Sequence, residues 1–119
     1  MSLVKKLKVE DSLISSIENY SKQQIIRQNE NISSGDTISI CDKNENYIKS
    51  MVCLGVKKIE ILSSKEILLD GKKLNEKLVL ELAISEGFKN TDSFFDFFGK
   101  YSNKYQGELI LWGLTNSFL

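Results

Sequence analysis

Short alternating runs of apolar and polar residues, separated by turn-forming clusters, are the feature that most constrains the fold of this chain. The run 37–41 places Ile38 and Ile40 on one face, which is the pattern of a half-buried strand. The cluster 42–46 then predicts a turn. Strands this short and closely spaced favour a small, strongly curved sheet over an open sandwich. Further strands are predicted at 47–56, 57–62, 66–69 and 107–113.

Helical signals flank these strands on both sides. Residues 9–23 place Leu13, Ile14, Ile17 and Tyr20 at the spacing of one helix face. Gly87 is placed to end a later helix in a left-handed conformation. The sequence therefore predicts an α+β fold, which is a small and mostly antiparallel β-barrel flanked by helices. Helices are predicted at 9–23, 76–86 and 93–101, and a short strand at 25–26.

The length and the composition indicate one intracellular domain. A chain of 119 residues predicts a single domain, 1–119, which can fold without a metal or a disulfide. No apolar run approaches the ~20 residues of a membrane span, and the N-terminus lacks the apolar core of a secretory signal. Cys41 and Cys53 lie in apolar runs, which predicts buried thiols in a reducing compartment. We therefore expect a cytoplasmic protein without a membrane partner, and the oligomeric state stays open.

The residue types present exclude several kinds of chemistry. Histidine is absent, which removes the usual general base and the commonest metal ligand. Two cysteines alone cannot close a zinc site, so we expect no metal and no cofactor. The net charge is zero, which argues against a broad basic surface for nucleic acid and leaves room for a local nucleotide site. Arg27 is the only arginine. Arginine is better suited than lysine to contact phosphates and base edges, because its planar guanidinium can donate two hydrogen bonds to one group.

An ordered set of motifs resembles the signature of ASCH domains, a family within the PUA-like superfamily. The run Lys22-Gln-Gln-Ile-Ile-Arg27, followed by Ser34-Gly35-Asp36-Thr-Ile-Ser-Ile40, is similar to the family's Gly-x-Lys-x-x-Thr-Ile-Arg-type motif and the Gly-Asp turn after it. The closing segment 107–112 resembles that of ASCH-like proteins from phages and prophages. The resemblance covers about residues 13–113, and it implies a PUA-like barrel that handles RNA or nucleosides. The other similar segments are 67–74, 82–88 and 92–98.

One branch of this family hydrolyses the acetyl amide of acetylated cytidine with a lysine, a threonine and a glutamate. On this sequence the resemblance carries the lysine to Lys22 and the glutamate to Glu86. The threonine falls at or next to Gln24 or Ile25, and neither side chain can act as a nucleophile. The resemblance therefore implies a retained pocket without its nucleophile, which predicts binding, or a reaction other than the family's hydrolysis.

The leading hypothesis is a module that binds RNA or a modified nucleotide. Lys22 and Arg27 would meet carbonyl or phosphate oxygens, Glu86 an amino group and Asn29 a base edge, and Trp112 would stack on a base. An amidohydrolase that acts on acetylated cytidine or a related small amide is one alternative, with Lys22 and Glu86 as its catalytic residues. Another alternative is a phage accessory protein that binds a host protein through the phenylalanine-rich helix. Each of these residues also has an ordinary structural explanation. Lys22 and Glu86 would be solvated charges at helix ends, and Trp112 would be a core side chain.

Overall fold

The computed structural model describes residues 3–101 and 103–119. The fold is α+β, as the sequence predicts. The helices are α1 (Asp11–Glu18), α2 (Glu76–Ser85) and α3 (Thr91–Phe98), with a 3-10 turn at Gly99–Tyr101. The strands are β1 (Val4–Lys8), β2 (Gln24–Arg27), β3 (Thr37–Cys41), β4 (Tyr47–Val52), β5 (Gly55–Leu62), β6 (Ile67–Leu69), β7 (Lys72–Lys73) and β8 (Lys104–Leu111).

The strands form two sheets. One has the order β1-β3-β4 and the other the order β2-β8-β5-β6-β7. The pairs β3–β4, β5–β6 and β6–β7 are antiparallel, whereas β1 pairs with β3 in parallel. Each sheet has two edge strands, so within the described residues neither sheet closes on itself as a barrel.

The chain divides into two units, Met1–Ile25 with Glu30–Val56 and Ile110–Leu119, and Ile26–Asn29 with Lys57–Leu109. The first unit contains α1 and the three-stranded sheet. The alternation of β3 buries Ile38 and Ile40 completely while Thr37 stays half-buried. Apolar side chains from β1, α1, β2 and β3 surround these isoleucines and form the core of this unit. Its buried members are Leu7, Val9, Ile17, Ile25, Ile32, Ile38, Ile40, Cys53, Ile110 and Trp112.

Helix α1 is shorter than the predicted helix at 9–23. It ends at Glu18, because Asn19 caps it and Tyr20 adopts a left-handed φ of 65°. The backbone N–H of Lys22 then donates to Ser16 O at 2.9 Å, which turns the chain into β2. Tyr20, predicted on the apolar face, is instead 60% exposed, and Lys49 Nζ lies 3.3 Å from the centre of its ring.

The two cysteine thiols lie too far apart to form a disulfide. Thr37 is opposite Val52 in the β3–β4 pair and Cys41 is opposite Tyr47, so Cys41 and Cys53 stand at opposite ends of the pair. Four residues of strand separate those ends by about 13 Å, and a disulfide needs Cα atoms closer than roughly 7 Å. Both thiols are free and buried, and burial raises the pKa of the Cys53 thiol.

Asp36 anchors the turn before β3. Its carboxylate accepts from Ser33 N at 2.9 Å and from Leu3 N at 3.1 Å. The hydrogen bond from Ser33, followed by that from Leu3, lowers the pKa of this carboxyl below its ordinary value of 3.8, because both bonds favour the charged form. A lowered pKa stabilises the fold above the ordinary pKa, and this contribution is lost as the pH falls through the folded pKa.

Asp36→Asn is therefore expected to lower the urea midpoint at pH 7 and to lose much of that effect near pH 3. Urea unfolding followed by circular dichroism at both pH values measures the difference between variant and wild type. Asp96→Asn, which changes an exposed carboxylate on α3, serves as the control. An equal deficit at both pH values would show that the charge of Asp36 plays no part.

The second unit contains α2, α3, β6 and β7 together with most of β5 and β8. Asn75 caps α2 through a bond from Leu78 N at 2.9 Å, and Asn90 caps α3 through a bond from Ser93 N at 2.8 Å. The asparagine cap at position 90 starts α3 two residues earlier than the sequence predicts. Phenylalanines of α3, together with Tyr105 and aliphatic residues of β5, β6 and β8, are buried in this unit.

Candidate functional site

Lys22 and Gln24 are buried polar residues within the segment that resembles the ASCH signature. They are 6% and 3% exposed, and both make polar or electrostatic interactions. Lysine is rarely this deeply buried, and buried ionisable groups are concentrated at functional sites more than elsewhere. Both residues belong to the first unit. The burial of Lys22 thus differs from the ordinary expectation of a solvated lysine at a helix end.

Trp112 packs directly on this segment. Its indole Nε1 donates to Lys22 O at 3.0 Å, and its backbone N–H donates to Gln23 O at 2.9 Å. The side chain is 2% exposed and belongs to the core of the first unit. A base can stack on this ring only after the core opens, so the arrangement makes Trp112 a structural support for the backbone of residues 22–23.

The position of the family's threonine carries no hydroxyl. Gln24 and Ile25, which occupy it, are both buried in β2. The hydroxyl closest to this position along the sequence belongs to Ser21, which is exposed and donates to Ser16 O at 3.3 Å. Within this segment nothing is arranged as a nucleophile for the amidohydrolase alternative.

Arg27 and Asn29 lie in the second unit, where Asn29 lines a polar groove. Arg27 is half-buried at the end of β2. Asn29 is exposed and adopts a left-handed φ of 59°, which asparagine tolerates better than most residues. The groove has a volume of about 470 Å³, a size common among ligand sites. Its lining residues are Gln28, Asn29, Lys58, Ile59, Glu60, Gln106, Gly107 and Glu108.

Neighbouring strands hold the side chains of this groove in place. Gln28 Nε2 donates to Gln106 O at 2.8 Å, which leaves the amide oxygen of Gln28 available as an acceptor. The carboxylate of Glu60 pairs with Lys104 Nζ at 3.3 Å. Glu108 is half-buried. Amide and carboxylate groups at fixed positions are the groups that read the hydrogen-bonding edge of a base.

Gly107 permits the close approach of strands that forms the floor of the groove. A Cβ atom at this position would lie 2.8 Å from Arg27 O and 2.9 Å from Tyr105 Cε1. Real Cβ atoms do not approach a backbone oxygen so closely, so only glycine fits here without movement of a strand. Arg27 is not among the lining residues of the groove, but its carbonyl oxygen lies close to Gly107, which is one of them.

Glu86 lies elsewhere in the second unit. It is the C-terminal cap of α2, it is half-buried, and its backbone N–H donates to Leu82 O at 3.0 Å. It is not a lining residue of the groove that contains Asn29. Lys22 belongs to the other unit, so the convergence of Lys22, Arg27 and Glu86 on one pocket stays a prediction.

The phenylalanine-rich helix α3 is mainly a core element. Phe94, Phe95 and Phe98 are at most 9% exposed, whereas Phe97 is 37% exposed. One of the four rings of the helix is therefore partly exposed, and host-protein binding through this helix stays a prediction. A cavity of about 580 Å³ adjoins the buried rings of Phe95 and Phe98.

Neither a membrane-spanning helix nor a metal-binding cluster is found in the part of the chain that the structure describes. No helix in residues 3–101 and 103–119 is long and apolar enough to cross a membrane. In the same residues no group of three or more histidine, cysteine, aspartate or glutamate side chains is placed to hold a metal ion.

Comparisons with protein-family models, with curated proteins and with solved structures find no match for this chain. The resemblance to ASCH domains therefore rests on the motifs of the sequence. The structure adds two observations to these motifs, which are the burial of Lys22 and the polar groove lined by Asn29.

Proposed function

We propose that this chain is an ASCH-like module that binds RNA or a modified nucleotide, on a PUA-like fold and in the cytoplasm. The observation that carries the proposal is the polar groove beside Arg27, about 470 Å³ in volume and lined by three side-chain amides, two carboxylates and one lysine. One residue that the sequence singles out for base contact, Asn29, lies in its wall. The two free thiols support a reducing compartment.

The side chains of the groove would have two roles, which are contact with the base and contact with the phosphate. The amide of Asn29 would pair with a base edge, and the carboxylate of Glu108 would accept from an exocyclic amino group. Lys58 is exposed and would meet phosphate oxygens. The side chain of Arg27, half-buried at the end of β2, would provide a second phosphate contact next to the groove. Such a site reads one nucleotide locally, which is consistent with a net charge of zero.

The family's hydrolysis is not part of this proposal. The position of the threonine is occupied by Gln24 and Ile25, and neither side chain carries a hydroxyl that could act as the nucleophile. Incubation with acetylcytidine and chromatography of the product tests the enzyme alternative. Release of cytidine by the wild type, abolished in Lys22→Ala and in Glu86→Gln, would replace binding by catalysis as the function.

Fluorescence anisotropy with labelled short single-stranded RNAs tests the binding proposal. Asn29→Gly removes the amide and keeps the left-handed backbone, and it is expected to weaken binding by roughly tenfold. Asn31→Gly is the matched control, because Asn31 is also exposed and has a φ of 55° but does not line the groove. The control should bind like the wild type.

Salt dependence tests the phosphate role in the same assay. A plot of log affinity against log salt has a negative slope, and Lys58→Gln and Arg27→Ala should each reduce the magnitude of that slope by about 1. Lys72→Gln, at an exposed lysine of β7, should leave the slope unchanged. The proposal would be falsified if the wild type and Arg27→Ala bound RNA equally, with no salt dependence in either.

A further inference from the structure

We propose that the second unit carries another ligand site, a cavity that binds a small aromatic carboxylate. The cavity has a volume of about 580 Å³ and shares no lining residue with the groove at Asn29. Apolar side chains form its floor, and two lysines and an asparagine stand at its rim. The floor consists of Ile61, Phe95 and Phe98, and the rim includes Lys65, Lys100 and Asn103.

The floor of this cavity is rigid because its rings pack into an aromatic cluster. The ring of Phe98 lies 4.8 Å from that of Phe94 and 4.7 Å from that of Tyr105, centre to centre. Phe94 also meets Phe95 edge to face at 5.5 Å. These geometries are favourable for aromatic pairs, so the floor needs no rearrangement to receive an apolar body. An aromatic ring of a ligand would extend the cluster and remove apolar surface from water.

The rim carries an excess of positive charge. Lys65 and Lys100 line the cavity, and Asp96 is the carboxylate in its lining. The turn after β5 fixes the backbone of Lys65, with a φ of 65° and a bond from its N–H to Leu62 O at 3.0 Å. Lys100 Nζ lies 5.1 Å from the centre of the Phe97 ring. Two lysines and three buried apolar side chains in one lining match a ligand that has one carboxylate on an aromatic body.

An ion pair at the rim competes with such a ligand. Lys65 Nζ pairs with Asp92 Oδ1 at 3.1 Å, and the two side chains are 60% and 75% exposed. An exposed pair of this kind is weak, so a carboxylate that is also held by the floor can displace Asp92. The side chain of Asp92 therefore acts as an internal competitor for the carboxylate of the ligand.

Titration of ¹⁵N-labelled protein with phenylacetate, followed by amide chemical shifts, tests this inference. Phenylacetamide, the neutral analogue of the same shape, is the comparison ligand. Phenylacetate is expected to shift residues 61–65, 95–100 and 103 and to bind at least fivefold more tightly than phenylacetamide, the factor for one charge contact of about 1 kcal/mol. Residues 4–8 and 37–52 should not shift.

Three variants separate the charge contact from simple partition into an apolar pocket. Lys65→Gln and Lys100→Gln should weaken phenylacetate roughly fivefold and leave phenylacetamide unchanged, whereas Asp92→Asn should strengthen phenylacetate. Lys72→Gln is the control for the loss of a lysine from the same unit. Equal binding of the acid and the amide, or no shift at these residues up to the solubility of phenylacetate, would overturn the proposal.

Discussion

Trp112→Ala is expected to lower the free energy of unfolding by about 3–5 kcal/mol, the usual cost of removing a buried tryptophan. The side chain is 2% exposed in the core of the first unit. Its loss also removes the donor to Lys22 O and leaves that buried acceptor without its indole partner. Urea unfolding followed by far-ultraviolet circular dichroism measures the change.

Two further variants show which part of the indole matters. Trp112→Phe keeps an aromatic ring but loses the N–H group, and it should cost about 1–3 kcal/mol. Leu114→Ala, at a side chain that is 89% exposed, should change stability by less than about 0.5 kcal/mol. If Trp112→Ala were as stable as Leu114→Ala, the tryptophan would not be a core residue, and its role as a base-stacking ligand would regain support.

Gly107→Ala is expected to cost at least about 2 kcal/mol, in the range of overpacking a tight site. The added Cβ would lie 2.8 Å from Arg27 O, a backbone atom that cannot rotate away, and 2.9 Å from the Tyr105 ring. One of the two strands must therefore move. Because Gly107 lines the groove, the same change should also weaken RNA binding in the anisotropy assay.

Gly99→Ala is the matched control for this clash. A Cβ at Gly99 meets no atom within 4 Å, and its φ of −61° is ordinary for alanine. This variant should be neutral or stabilised by up to about 1 kcal/mol, because alanine restricts the unfolded chain more than glycine does. Equal costs for Gly99→Ala and Gly107→Ala would show that the close approach at Gly107 does not constrain the sheet.

The strands were predictable where alternation is regular, and the helix limits were less so. The run 37–41 alternates, and β3 has those bounds. The helix predicted at 9–23 ends at Glu18, and Tyr20 then adopts a left-handed backbone conformation. The sequence does not reveal this end, because tyrosine is also common inside helices and does not mark a left-handed position. The parallel pairing of β1 with β3 depends on contacts distant in sequence, which periodicity does not encode.

The candidate site was predictable only in part. Asn29 was identified in a polar loop, and it lines the groove. Lys58 and Glu108 also line it, and both occupy the outward positions of alternating runs. The alternation of these two runs could be recognised in the sequence. The position of β8 between β2 and β5 could not be predicted, because tertiary packing sets the order of strands in a sheet. The single domain and the roles of Lys22 and Glu86 stay predictions.

The most direct test of the central claim, that the groove at Asn29 reads a nucleotide, is a titration of ¹⁵N-labelled protein with a short cytidine-containing RNA. We predict that the amide signals of residue 29, Lys58 and Glu108 shift together and with one dissociation constant, and that this constant is roughly tenfold larger in Asn29→Gly. A contradictory result would be that RNA shifts no residue of 28–29, 58–60 and 106–108, or that the variant gives the same dissociation constant as the wild type.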